Sequence, residues 1–158
     1  MDLNELIWTK NIKPQKSGGW AYKSESIANL YPDLRIFTLN WKNSDHKDEN
    51  NASAPQEGEL IILRQYAKVT HIVKMLNNQL YREINTEEDF NICRLVQVIW
   101  MTDDWENSPH NDKVFDCAIH FPSNGKAIKL DKIQEFQKRW NTAGLEFQQY
   151  VQGVLNIH

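Results

Sequence analysis

Hydrophobic positions along the chain change their period once. Up to about residue 130 they fall in short runs and two-residue alternations, the signature of strands, and beyond it they recur every three or four residues, the signature of helix. The most strongly β-forming stretch is Gly58 to Leu76, GELIILRQYAKVTHIVKML. Leu60 to Leu63 and Val69 to Val73 read as two strands joined by a short turn. Alternation along the second strand puts Val69, His71, Val73 and Met75 on one face, apolar except for His71. That imidazole is either a core group bonded to backbone or a functional one.

Four further runs predict strands: Leu6 to Thr9, Leu34 to Trp41, Gln79 to Glu83 and Phe90 to Met101. In Leu34 to Trp41, Arg35, Phe37, Leu39 and Trp41 share a face. Phe90 to Met101 is apolar on both faces yet contains Arg94, which therefore needs an acid or backbone carbonyls as partners. Phe115 to Phe121 also alternates cleanly, with Phe115, Cys117, Ile119 and Phe121 inward and His120 outward, as in a half-buried strand.

Between these runs lie loops. Asn11 to Gly19 is broken by Pro14 and Gly18-Gly19 and delivers Trp20 at its edge, and Ser24 caps a short helix over Glu25 to Leu30. Asn43 to Gly58 is polar, without an apolar anchor, and reads as a mobile excursion that could be shortened without loss of stability. Thr102 to Lys113 is an acidic loop carrying Trp105. After Asp131, a good N-cap, the stripe Ile133, Phe136, Trp140, Ala143, Phe147, Tyr150 and Val154 predicts one bent helix or two helices meeting at Asn141 to Gly144. The fold expected is α+β in a single domain spanning residues 1–158: a mostly antiparallel barrel of about six strands over residues 5–130, with a helix or helix pair at 131–156 packed on it.

Composition narrows the class. A chain of 158 residues with 41% hydrophobic and 25% charged residues is long enough to bury a core and is not disordered in type. No apolar stretch is long enough for a membrane span and the opening residues lack a leader pattern, so the expected location is cytoplasmic, with no membrane partner. A net charge of −3 argues against a salt-driven grip on long duplex backbone. Charge is uneven, however: Glu83 to Asp112 is acidic, whereas Lys113 to Arg139, with Lys10, Lys13, Lys16 and Lys23, could form a basic side or be scattered solvated groups. Cys93 and Cys117 lie in apolar runs and read as reduced core thiols.

No phosphate loop, nucleophile elbow, paired-histidine metal helix or CxxC pair is present, and no cofactor is expected. Asp103, Asp104, Glu106, His110 and Asp112 could ligate a hard cation, although carboxylates in a polar loop are usually just solvated. Trp8, Trp20, Trp41, Trp100 and Trp105 stand at strand ends or in loops, where they could stack a base or plug a barrel, the latter favoured for Trp100. Trp140 belongs to the helical stripe.

The stretch Glu57 to Leu76, with its Gly58-Glu59 step before one strand and Thr70-His71-Ile72 in the next, resembles the central strand pair of PUA-like barrels of the EVE type. Strand order and tryptophan placement extend the resemblance over Leu6 to Leu130. It implies a PUA-like barrel with a cleft for a nucleotide base, plain or modified, walled by aromatic rings. It also implies a pocket near Thr70 and His71, with Lys68 or Arg64 near a phosphate. The ligand-binding set expected is thus Trp20, Trp41, Arg64, Lys68, Thr70, His71 and Trp105, with no catalytic residue and no metal. The function expected is a non-catalytic reader of nucleic acid or nucleotide. Two other classes stay open: a protein-interaction module of a larger complex, using the acidic loops and helix, and a metal-dependent hydrolase or nuclease using the acidic cluster.

Overall fold

A computed structural model of the protein describes residues 3–13, 19–23, 35–41, 48–82, 92–122 and 124–157. Among them are strands β1 (Leu6–Asn11), β2 (Ile36–Trp41), β3 (Leu60–Gln65), β4 (Lys68–Met75), β5 (Tyr81–Arg82), β6 (Ile92–Met101) and β7 (Ala127–Lys129). The helices are α1 (Asp48–Ser53), α2 (Asn111–Phe115), α3 (Gln134–Trp140) and α4 (Leu145–Val154), with a 3₁₀ turn at Leu130–Lys132. The strands form one curled sheet, a half-barrel, in the order β2-β6-β4-β3-β1-β7, with β5 beside β6. All neighbours are antiparallel except β1 and β3, which run parallel. The α+β class and the barrel-like sheet accord with the sequence.

The run Leu60 to Leu63 is aliphatic throughout because β3 is covered on both faces. Ile61 and Leu63 join Phe37, Leu39, Trp41, Val73, Met75, Ile92 and Val96 in one core, where side chains from most strands meet each other. Leu60 and Ile62 point the other way, into a second core closed by Phe115, Phe136, Phe147 and Val151 from the helices.

Two irregularities break the simple alternation. In β4 one extra residue, Thr70, falls opposite the Leu63–Arg64 step of β3, so Val69 turns to the second core while Val73 and Met75 face the first. Val69 therefore does not share their face, contrary to the alternation read from sequence. In β6 the extra residue is Ile99, between the pairs Ile72–Trp100 and Val73–Val98, and it turns Trp100 onto the second core. Trp100 is thus partly buried against the second core.

Other expectations are corrected. Asn43 to Gly58 is not a free excursion over its described part. Residues 48–53 form α1, Ala52 is fully buried, and Arg94 Nη1 donates to Ala52 O at 2.8 Å and Pro55 O at 2.6 Å. Arg94 Nη2 donates to Asn77 O, so the guanidinium has the carbonyl partners that its buried position demanded. Phe115 to Phe121 is not a strand. His110 caps α2, and Asp116 ends it in the left-handed region at φ 52°, after which residues 117–122 belong to neither strand nor helix. Its in-and-out burial survives because Cys117, Ile119 and Phe121 still lie on the second core. Asp131 falls in the 3₁₀ turn, and α3 starts after Ile133. The stripe divides into two helices, with Asn141 at φ 70° between them, and in α4 Phe147 and Val151 are fully buried while Tyr150 and Val154 are only partly so. Strand β7, which caps the sheet beside β1, was not foreseen. The expected helix at 25–30 lies outside the described residues. Cys93 is buried, Cys117 is partly so, and neither forms a disulfide. Among the described residues no helix is long and apolar enough to cross a membrane.

Candidate functional site

Three segments converge at the turn between β3 and β4. The turn residues Tyr66 and Ala67 both have positive φ, 54° and 60°, the backbone of a tight two-residue hairpin loop in which asparagine and glycine are usual. Tyr66 is 59% exposed, so its ring is presented outward at the cost of a disfavoured backbone. Residues 19–23 lie across this turn. Gly19, at φ 82°, offers its carbonyl to Gln65 Nε2 at 2.9 Å and to the Tyr66 hydroxyl at 3.3 Å, while Ala21 N donates to Gln65 Oε1 at 2.8 Å. The loop after β6 is the third segment. It continues along the start of β4, beyond the end of β6, through Thr102 N to Thr70 O at 3.0 Å and Val69 N to Pro109 O at 2.8 Å.

These hydrogen bonds bring together rings that are distant in sequence. Trp20 packs edge-on to Tyr66 with centroids 5.1 Å apart and lies 5.9 Å from Trp105. Trp105 stands over His71 at 5.4 Å. Below them, Tyr22 and Phe37 approach His71 at 6.4 and 6.0 Å. Two ammonium groups flank the cluster: Lys23 Nζ is 5.9 Å from the Trp105 ring and Lys68 Nζ 6.0 Å from the Trp20 ring. Glu106 links the parts, accepting from Trp20 Nε1 at 3.3 Å through its carboxylate and from Lys68 Nζ through its main-chain oxygen.

His71 is completely buried, and both ring nitrogens are engaged. Because a carbonyl can only accept, Nε2–H donates to Tyr22 O at 3.0 Å, and Nδ1 accepts from the Thr70 hydroxyl at 2.7 Å. Burial away from water pushes its pKa down from 6.5 to about 4, with the Tyr22 carbonyl opposing and Arg35 assisting. An unfolded chain therefore protonates first on acidification. The stability tied to neutral His71 is fully present above pH 6.5 and is lost as pH falls toward 4. The loss expected is on the order of 3 kcal/mol. The imidazole proton resonances followed by NMR should stay at their neutral positions down to about pH 5; titration near the free-histidine value would show the ring is not sealed.

The other expected site residues are distributed as follows. Trp20, Trp105 and Lys68 meet in the cluster. Thr70 and His71 lie beneath it, buried and bonded to each other, so they shape its floor and present no free polar atom. Trp41, expected at a cleft, is buried in the first core, 5.0 Å from the Lys10 ammonium. Arg64 is turned to the second core and stacks on Phe121 at 3.7 Å. The acidic loop is occupied with its own backbone: the Asp104 carboxylate accepts from Asn107 N and Nδ2, and His110 Nδ1 accepts from Asp112 N. Among the described residues no set of three His, Cys, Asp or Glu side chains is placed to hold a metal ion. Tyr66 and Tyr22 were missed. An aromatic residue at the tip of a two-residue turn was the signal for Tyr66; nothing in the sequence marked Tyr22.

Compared with protein-family models, curated proteins and solved structures, the chain matches none.

Proposed function

We propose that the protein is a non-catalytic reader of nucleic acid or nucleotide that stacks a base, plain or modified, on the Trp20, Tyr66 and Trp105 rings. The observation that carries this reading is the gathering of partly exposed rings from three segments between two lysines. A π-face offers each base a stacking platform, and an ammonium beside it suits a phosphate. The same lysines argue against a cationic ligand, since Lys23 and Lys68 already occupy the space near the ring faces. Positive φ at Tyr66 and Ala67 supports a selected presentation of the Tyr66 ring, because strained backbone clusters at ligand sites. The Glu106 carboxylate and Tyr66 hydroxyl stand at the rim as groups able to read base edges. The reading extends the resemblance of residues 57–76 to EVE-type PUA-like barrels.

Titration of short oligonucleotides with plain and modified bases, against wild type, Trp20→Ala and Trp105→Ala, tests the proposal. Each substitution is expected to weaken binding by about 1–3 kcal/mol, the worth of one stacking platform, with little change in melting temperature. The reading fails if no oligonucleotide binds wild type, or if both variants bind as wild type does. Stabilisation of wild type by Mg²⁺ or Mn²⁺ instead would favour a metal-dependent hydrolase.

A further inference from the structure

Arg64 is a buried cation for which the described protein supplies no anion. It is 3% exposed, its Nε donates to Thr9 Oγ1 at 2.8 Å, and its guanidinium carbon lies 3.7 Å from the Phe121 ring centroid. The Thr9 hydroxyl donates in turn to Ile62 O at 3.0 Å, which directs an oxygen lone pair at Arg64. These contacts fix the plane of the guanidinium and leave Nη1 and Nη2 as a fork. Among the described residues no acceptor lies within hydrogen-bonding distance of that fork, and no carboxylate pairs with it. Neither nitrogen is among the fully enclosed polar atoms that lack a partner, so the fork is reachable from solvent.

The neighbouring strand deepens the imbalance. Asn11 of β1 pairs with Arg64, and Lys10 beside it is also buried, with a single 3.5 Å contact from Nζ to Asn11 O and the Trp41 ring at 5.0 Å. A buried guanidinium without an acid among the described residues is costly, and a bound anion would offset that cost.

We propose that Arg64 anchors an oxyanion site, in which Nη1 and Nη2 hold two oxygens of a phosphate or carboxylate group side by side. A planar guanidinium matches both groups in this bidentate way, and its orientation here is set before the ligand arrives. The site is on the face of the sheet that packs Phe121, and it stands independently of the base-stacking reading.

The test uses the full chain in a buffer whose ionic strength is held constant with sodium chloride, titrated separately with sodium phosphate and sodium acetate. Thermal unfolding is the readout, with isothermal calorimetry as the second measure. A saturable rise in melting temperature with one of the two anions is expected, and whichever arm responds identifies the oxyanion. Arg64→Met should abolish the rise, and Arg64→Lys, which keeps the charge without the fork, should weaken the apparent affinity about tenfold. The proposal is overturned if neither anion stabilises wild type, the result for an arginine that merely extends its tip into water. It is equally overturned if Arg64→Met retains the rise, the mark of a general salt effect. Should Arg64→Met fail to fold, an unweakened response in Arg64→Lys overturns it.

Discussion

Replacing Arg94 by methionine is expected to destabilise the protein by about 3–5 kcal/mol, the cost of taking a buried charge away from its three carbonyl partners. Methionine fills much the same space, so the effect isolates the lost donors. The carbonyls of Ala52 and Pro55 would each lose a charged partner where they are buried, and that of Asn77 where it is partly so. Leaving a buried acceptor unpaired costs about 1–3 kcal/mol, and partial relaxation keeps the total below the simple sum. Urea unfolding of wild type and variant measures the difference. A loss below about 1 kcal/mol would show that the 48–58 segment is not held by this side chain. The same anchoring reverses the expectation for that segment. Exchanging residues 48–56 for a short Gly-Ser turn should lower the melting temperature, because Ala52 leaves the core and Arg94 loses two acceptors.

Replacing Lys10 by methionine is expected to stabilise the fold, and the gain should depend on pH. Burial, aided by the nearby Arg64 charge, lowers the Lys10 pKa from 10.5 to about 7. Below pH 7 the amine is charged in folded and unfolded chains alike, and the fold bears the whole cost. Between pH 7 and 10.5 the unfolded chain holds a proton that the folded chain has released, so wild-type stability rises with pH. Above that window both forms are neutral and the cost is gone. The span corresponds to a difference on the order of 5 kcal/mol. Lys10→Met should therefore exceed wild type most near about pH 6 and least near about pH 10. Other titrating groups are common to both proteins and cancel in the comparison. Parallel stability profiles would show that the amine is hydrated and not sealed against Trp41.

The strands that carry continuous or alternating apolar runs were legible in the sequence because they are covered on one or both faces. Leu60 to Leu63, Phe37-Leu39-Trp41 and Ile92 to Val98 are of this kind. Arg94 was legible for a related reason: a charge within such a run must find acceptors. What failed was local. Phe115 to Phe121 has a strand's alternation, but alternation records burial and not hydrogen-bond partners, and among the described residues no strand pairs with it. Ala52 was invisible because one small apolar residue in a polar stretch creates no period, although it suffices to anchor a helix. The bulges at Thr70 and Ile99 depend on pairing across strands, which a single chain's periodicity does not encode. For the candidate site, Trp20 and Trp105 stood out as loop tryptophans. Their meeting depends on Gln65, Gly19 and the start of β4, none of which carries a distinctive pattern. Trp41, in contrast, was a strand-end tryptophan whose neighbours enclose it.

The parallel pairing of β1 with β3 dictates an order of assembly. The antiparallel β3–β4 hairpin is a local structure, and β6 can add to β4 once it is made. Strand β1 leaves the ribosome before either, yet Leu6 finds its partner at Leu60 and Trp8 its other neighbour at Lys129. Contacts so far apart in the chain form slowly, since loop closure precedes their reward. During synthesis the Leu6–Asn11 segment must therefore wait with both edges open until Leu60–Gln65 emerges, and with one edge open until Ala127–Lys129 follows, and it is in that interval that the nascent chain is most exposed to pairing with the wrong strand.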